Sequence, residues 1–209
     1  MHELTLTANF AAWKIFIARK SKPDFLSFSE KVLARDNYTC QFCGFQAKEF
    51  QEVVDIEQNY KQLKLSTAAT ACCFCTQCFF LESIGIGSFG GGSLIYLPEI
   101  SQASLNSFCH VIFCAIANDT GYKATAESIY RSLKFRTQQI EEQFGEGSSE
   151  PSVFGRLLID SGSLGNEDLQ EAIKNNIRLL PSRAKFKTQI DHWAQAALNE
   201  LSDEEFADQ

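Results

Sequence analysis

The sequence contains no apolar run of the length that a membrane helix requires. The run at residues 111–117 has seven residues, whereas a membrane-spanning helix needs about 18. In the first twenty residues the basic side chains follow a short apolar stretch instead of preceding it, unlike a secretory signal peptide. We therefore expect a cytoplasmic protein with reduced thiols, whose eight cysteines serve metal binding or core packing and not disulfides.

The chain is also short of positive charge. Its net charge is -7, and residues 1–80 are almost balanced, with nine Lys/Arg against eight Asp/Glu, so the acidic excess follows residue 80. Nucleic-acid binding usually needs a basic patch, which only the N-terminal part could supply. The cations available there are Lys14, Arg19, Lys20, Lys22, Lys31 and Arg35. The acidic remainder is better suited to protein contacts.

Histidine is scarce, and its placement restricts the chemistry. The chain has only His2, His110 and His192, and none lies within residues 30–83. We expect His110 to be a polar residue at the edge of a helix. The neighbouring Cys109 and Cys114 lie roughly 140° apart on that helix, which favours core packing over a shared ion.

The residue patterns predict an α+β protein, a small mixed module followed by a mainly α-helical region. With 209 residues, 44% of them apolar, the chain can bury a core as one domain or as two closely packed ones. We expect strands at residues 12–18, 52–57 and 93–97. Helices are expected within residues 21–36, starting near Pro23, at residues 76–83, after Ser101 to at least Ile116, from about 123 to 144, and near residues 151–160, 166–179 and 182–200. The predicted parts are an N-terminal strand or arm (1–29) packed on the module, the module itself (30–98) and the helical region (99–209).

Apolar spacing supports the helix that follows Ser101, which can act as its N-cap. Its predicted buried face consists of Leu105, Phe108, Cys109, Ile112, Phe113 and Ile116. By contrast, the glycine pattern at residues 85–90 matches a dinucleotide-binding fingerprint only formally. A strand and not a helix is expected to follow it, so we interpret it as a loop.

Two cysteine motifs carry the strongest chemical signal. Cys40 and Cys43 form a C-x-x-C followed by Gly44, whose left-handed conformation would complete a tight turn. The segment "TACCFCTQCFF" contains two overlapping pairs, Cys72/Cys75 and Cys75/Cys78. Two C-x-x-C motifs together supply the four sulfur ligands of one structural Zn²⁺. Buried packing thiols and a thioredoxin-like redox pair are the alternatives, although no βαβ pattern surrounds either motif.

The stretch "VLARDNYTCQFCG" resembles the opening of the zinc-containing HNH endonuclease module, which implies a treble-clef (ββα) fold. In that family an Asp-His strand follows, and a second C-x-x-C leads into a helix that bears Asn or His. Here Glu57 and Gln58 stand where Asp-His is expected, and a residue near Thr76 stands where the helix of the family bears Asn or His.

Aligned with the HNH pattern, Cys72 ends a loop and Cys75 opens a helix. The resemblance thus implies that the zinc ligands are Cys40, Cys43, Cys72 and Cys75, with Cys73 pointing away and Cys78 packed inward. HNH chemistry needs a histidine base and a catalytic divalent ion, so without a histidine in the module we expect no enzyme and no catalytic residues. A nucleic-acid-binding protein or residual nuclease is the alternative.

Longer segments resemble a family of cytoplasmic components of the Dot/Icm type IVB secretion system, from about residue 12 to residue 187. They read "VLARDNYTCQFCGFQAKEFQEVV", "TACCFCTQCFFLES", "LIYLPEISQASLNSFCHVIFCAIAN", "SIYRSLKFRTQQIEEQFGEG" and "RLLPSRAKFK". The resemblance implies a non-catalytic scaffold that binds the C-terminal extension of the coupling ATPase DotL, in a complex with IcmS, IcmW and LvgA. That complex recruits effectors at the inner membrane, and the family combines an HNH-like zinc fold with no nuclease function. Neither direct membrane insertion nor nucleic-acid binding is expected.

Overall fold

The computed structural model describes residues 1–162 and 167–207. Within these residues the chain forms nine α-helices and four β-strands. In chain order they are α1 (Phe10–Arg19), α2 (Pro23–Arg35), β1 (Gln51–Asp55), β2 (Ala68–Cys72), α3 (Cys73–Thr76), β3 (Gly92–Tyr96), α4 (Gln102–Ala117), α5 (Lys123–Phe135), α6 (Thr137–Phe144), α7 (Pro151–Gly162), α8 (Glu167–Asn176), β4 (Ile177–Pro181) and α9 (Lys187–Ala207). The mixed α+β class predicted from the sequence is confirmed.

Residues 12–18 of the N-terminal arm lie in the helix α1, so the strand predicted there is wrong. The Asn9 side chain accepts a hydrogen bond from the Ala12 N–H and caps α1. Burial then follows helical spacing, with Ala12, Phe16 and Arg19 on the inner face. The β-branched and aromatic residues between them favour a strand locally, but the tertiary burial of this face overrides that preference.

The module begins with α2, which has Pro23 at its start. β1 and β2 then form an antiparallel hairpin, with Gln51 opposite Cys72 and Asp55 opposite Ala68. β1 ends two residues before its predicted end. The Asp55 carboxylate accepts hydrogen bonds from the N–H groups of Glu57 and Asn59, and these close a turn.

The chain after β2 is less regular than predicted. In place of one helix at residues 76–83, α3 is followed by two 3₁₀ turns, Gln77–Phe79 and Leu81–Ser83. The glycine pattern lies in the loop that precedes β3, as predicted. That loop ends at Gly92, where a Cβ atom would lie 2.3 Å from the Leu180 carbonyl oxygen.

A second sheet, which the sequence did not predict, pairs β3 with β4 in antiparallel register, Gly92 opposite Pro181 and Tyr96 opposite Ile177. The sequence pattern predicts the end of one helix and the linker to the next at the β4 residues, because a short apolar run does not distinguish a buried strand from a helix. The backbone N–H of Leu94 donates to Ser149, and that of Tyr96 donates to Arg136.

The C-terminal region is helical, as predicted, with different boundaries. Ser101 caps α4 by accepting a hydrogen bond from the Ser104 N–H, as expected. Phe108, however, is 38% exposed, so its place on the buried face is corrected. The helix predicted at residues 123–144 is divided at Arg136 into α5 and α6.

One core joins the cysteine module to the helical region. It extends from Leu4 to Trp193 and includes the cysteines of both motifs, residues of the hairpin and the buried face of α4. A smaller cluster of Phe25, Val32, Val53 and Ala68 holds α2 on the hairpin. Among the described residues, no helix is both long and apolar enough to cross a bilayer.

A candidate metal centre

The first cysteine pair lies in a tight turn between α2 and β1. Gly44 has φ +78°, the left-handed conformation predicted for it, and its N–H donates to the Cys40 carbonyl at 3.0 Å. The Cys40 N–H donates to the Phe45 carbonyl, and the Gln41 N–H donates to Thr70 of β2. These bonds point Cys40 and Cys43 toward the end of β2.

The second pair lies at the junction of a strand and a helix. Cys72 is the last residue of β2, and Cys75 lies in α3. Side chains three residues apart in a continuous strand would point to opposite faces of the sheet. The change from strand to helix after Cys72 instead turns both thiols toward Cys40 and Cys43.

The four sulfur atoms form one compact group. The Sγ atoms of Cys40, Cys43, Cys72 and Cys75 all lie within 4.8 Å of one another, and the Cys43 and Cys72 atoms are 3.6 Å apart. A tetrahedral ion with metal–sulfur bonds of about 2.3 Å requires sulfur separations of about 3.8 Å. All eight cysteines are free thiols. This cluster could therefore hold a metal ion.

The electrostatics of the four thiols favour a bound cation. Hydrogen bonds from Cys43, Cys72 and Cys75 lower the pKa of Cys40. Burial raises the pKa of Cys72 and of Cys75 well above the usual range. Burial therefore disfavours the thiolate forms of Cys72 and Cys75 when no cation is bound. A divalent cation would compensate the negative charge and release the remaining protons.

The other two cysteines of the second motif lie outside the cluster. Cys78 is fully buried, as predicted, and its thiol donates to the Phe74 carbonyl at 3.4 Å. Cys73 is half-buried. Farther along the chain, Cys109 is buried in the core, whereas Cys114 is only partly buried.

His110 is a buried neighbour of the cluster, which corrects its prediction as a polar edge residue. Its Nε2 atom lies 3.3 Å from the Cys72 Sγ. Its ring is stacked between Phe45 and Phe74, at centroid distances of 3.6 Å and 4.3 Å. Burial lowers the pKa of His110 to about 3, so the imidazole is neutral near pH 7.

A second polar residue of α4 also reaches the cluster. The Asn106 Nδ2 atom lies 3.2 Å from the Cys75 Sγ. Sequence reasoning missed both contacts because α4 lies outside the module in the chain. One signal in the sequence could have indicated them. Asn106 follows Leu105 and His110 follows Cys109, so both polar residues border the apolar stripe of α4.

Two polar side chains at the end of β1 and in the turn after it make structural contacts, and one of them, Gln58, stands at a position where the HNH pattern has a catalytic group. Gln58 donates to the Thr7 hydroxyl at 3.2 Å. Asp55 accepts hydrogen bonds from the Thr67 hydroxyl and from two backbone N–H groups. Within the described residues, the four-cysteine cluster is the one group of three or more His, Cys, Asp or Glu that could hold a metal ion.

The fold and the site define a mixed α+β protein built around a buried four-cysteine cluster. No protein-family model matches the chain. The chain is 57% identical over 201 residues to the type 4 apparatus protein DotN of Legionella pneumophila subsp. pneumophila (strain Philadelphia 1). The aligned residues cover 96% of this chain and 94% of that protein. The chain therefore belongs to the DotN family of Dot/Icm type IV apparatus proteins, which confirms the resemblance of its long segments.

Proposed function

We propose that the protein is a non-catalytic, zinc-stabilised scaffold subunit of a Dot/Icm coupling complex. In this role it binds the C-terminal extension of the coupling ATPase DotL and supports effector recruitment and export. IcmS, IcmW and LvgA are the expected companions in the complex, which recruits the protein to the inner membrane. The observation that carries the proposal is the 57% identity to DotN over almost the whole chain.

One zinc ion is the proposed cofactor, with Cys40, Cys43, Cys72 and Cys75 as its ligands. An all-sulfur, buried, four-membered donor set is typical of a closed structural Zn²⁺ site. It leaves no position for water or substrate, so the ion would contribute to folding and not to catalysis.

An HNH-like architecture is the proposed origin of the module. α2 ends at Arg35, and Asp36 follows it as the C-cap; this Arg-Asp pair is part of the stretch that resembles the HNH module. The Arg35 guanidinium donates to the Ala68 carbonyl, and the Asp36 carboxylate accepts from the Thr70 N–H. The pair thus joins α2 to β2 and needs no catalytic role. The proposed module comprises residues 30–98 and the proposed helical region residues 99–209, and one hydrophobic core includes residues of both.

A candidate groove for an extended partner lies beside the outer face of α4. Phe108 and Val111 are 38% and 65% exposed, and they line a cleft of about 750 Å³ together with N-terminal residues that include Leu6. Partner segments that fold on binding often place apolar side chains in such clefts.

Binding of the DotL extension by purified protein tests the proposal. We expect a complex at micromolar concentrations, weakened at least tenfold by Val111→Asp. Tyr122→Asp is the matched control, because Tyr122 is also exposed but lies in the connection between α4 and α5. Absence of binding by the unsubstituted, zinc-loaded protein would contradict the scaffold role, and unchanged binding by Val111→Asp would contradict the groove.

A DNA-cleavage assay tests the nuclease alternative. Incubation with Mg²⁺ or Mn²⁺ should give no cleavage. Metal-dependent cleavage that is lost on Glu57→Ala would favour a residual nuclease over the scaffold.

A further inference from the structure

α4 places two side-chain nitrogen atoms against the second cysteine pair. Asn106 and His110 lie four residues apart, about one helical turn, and therefore on one face of α4. Asn106 faces Cys75 with an Nδ2–Sγ distance of 3.2 Å. His110 faces Cys72 with an Nε2–Sγ distance of 3.3 Å. Each thiol of the pair thus meets one nitrogen from outside the module.

A chain of hydrogen bonds fixes the orientation of the Asn106 amide. Gln102 accepts a hydrogen bond from the Leu179 N–H at 2.7 Å and donates to the Leu179 carbonyl at 2.9 Å. The backbone of β4 therefore determines which end of the Gln102 amide is the donor. That donor also reaches the Asn106 Oδ1 atom at 2.9 Å. The Nδ2 group of Asn106 is left to face the sulfur atoms of Cys75, at 3.2 Å, and of Cys78, at 3.9 Å.

Packing fixes the His110 ring in a similar way. The ring is nearly parallel to that of Phe45, with an interplanar angle of 5°, and to that of Phe74, with an angle of 19°. This stack leaves the imidazole little freedom to turn away from Cys72. In the Nε2–H tautomer, the ring donates a hydrogen bond to the Cys72 sulfur.

Four thiolates and one Zn²⁺ carry a net charge of about −2, and the cluster is buried. Buried charge is unfavourable unless hydrogen-bond donors surround it, and the partners of metal ligands orient the ligands and adjust their basicity. We propose that Asn106 and His110 are outer-shell donors to the Cys75 and Cys72 thiolates, and that Gln102 positions Asn106. α4 is thereby part of the metal site although it lies outside the cysteine module.

This inference rests on the proposed zinc site, and metal release tests it. The probes are Zn²⁺, transferred from the loaded protein to a chromogenic chelator, and Co²⁺, whose thiolate charge-transfer absorption reports on the sulfur atoms. We expect Asn106→Leu and His110→Phe each to lose zinc roughly 10–100 times faster than the unsubstituted protein. We also expect the thiolate-to-Co²⁺ charge-transfer bands of these variants at longer wavelength. A thiolate that has lost its hydrogen-bond donor is easier to oxidise, so the charge transfer needs less energy.

Three further variants separate donor loss from disturbed packing. Cys109→Ala removes a buried side chain from the same helix without removing a donor, so it should lower Tm but keep the rate of zinc loss. His110→Gln retains an N–H and should lie between the unsubstituted protein and His110→Phe. If the larger leucine side chain prevents folding of Asn106→Leu, Asn106→Ala is the variant to measure in its place.

The outcomes are distinct. Zinc loss at the unsubstituted rate and unshifted cobalt bands in folded Asn106 and His110 variants would overturn the inference. Should the unsubstituted protein bind neither ion through sulfur, the proposed zinc site itself fails, and the inference fails with it.

Discussion

At the scale of single residues, the buried thiols tie folding to metal binding. Each cysteine of the cluster is at most 7% exposed, and the four sulfur atoms come from two separate segments of the chain. Neither segment has a long helix or a wide sheet to hold it in place. A metal ion that joins the segments would therefore supply much of the local stability.

Replacing Cys40 by Ser should release the metal and unfold at least residues 30–83. The physical reason is that the free energy of binding in such sites, about 10–16 kcal/mol, is largely folding free energy. Metal content and thermal unfolding check this prediction. Cys73→Ser is the matched control, because Cys73 lies in the same segment but outside the cluster. A Cys40→Ser protein that keeps both its metal and its Tm would refute the ligand assignment.

Asp36 should make stability depend on pH. Burial by itself would raise the pKa of this carboxyl, but hydrogen bonds from Arg35 and Thr70 outweigh it and lower the pKa. The unfolded carboxyl has a pKa of about 3.9. Since the folded value is lower, the stabilisation is present above about pH 4 and is lost as the pH falls through the folded value.

Urea unfolding of Asp36→Asn measures this contribution. We expect a loss of about 1–3 kcal/mol at pH 7, because the charged carboxylate accepts two hydrogen bonds from Arg35 and one from Thr70, and the substitution weakens them. The difference from the unsubstituted protein should shrink below pH 4. Asp24→Asn, in the first turn of α2, is the control. A difference that does not change with pH would contradict the assigned role.

At the scale of elements, close backbone approach decides how α7 packs. Gly155 lies within α7, and a Cβ atom there would lie 2.3 Å from the Glu82 backbone nitrogen. In an ordinary helix, Gly→Ala stabilises by up to about 1 kcal/mol. Here the added methyl group meets backbone that cannot move away as a flexible side chain would.

Gly155→Ala should therefore destabilise the protein by about 1–3 kcal/mol, the cost typical of overpacking. Chemical denaturation checks the sign as well as the size. Gly121→Ala, where a Cβ atom meets nothing within 4 Å, should change stability by less than about 1 kcal/mol. Stabilisation by Gly155→Ala would show that α7 does not pack on residues 81–83.

The elements also show where sequence reasoning succeeded and failed. Local signals were enough for Pro23 at the start of α2, for Ser101 as a cap and for Gly44 in its turn, since each acts within a few residues. The helix α1 and the strand β4 were missed, because distant partners determine their burial. Asn106 and His110 escaped notice for the same reason: only the tertiary fold brings α4 to the cysteines.

At the scale of the whole molecule, one continuous core joins the cysteines to the helices. The entire chain should therefore unfold in a single cooperative transition, and removing the metal with a chelator should lower the Tm of that transition. Circular dichroism follows the helices, and tryptophan fluorescence follows Trp13 and Trp193, of which Trp193 lies 5.1 Å from the His110 ring. The two signals should change together. Helices that stay folded after the fluorescence has changed would instead indicate two independent units.

The bonds along the outer sides of the β3–β4 pair limit how a partner can bind. On β3, the Leu94 and Tyr96 N–H groups donate to Ser149 and Arg136. On β4, the Gln102 amide binds both backbone groups of Leu179 and so imitates a neighbouring strand. At these positions the ribbon has the protected edges that natural sheets use against aggregation. A partner that approaches in extended form could not lengthen the sheet there, so its recognition would have to depend on side chains.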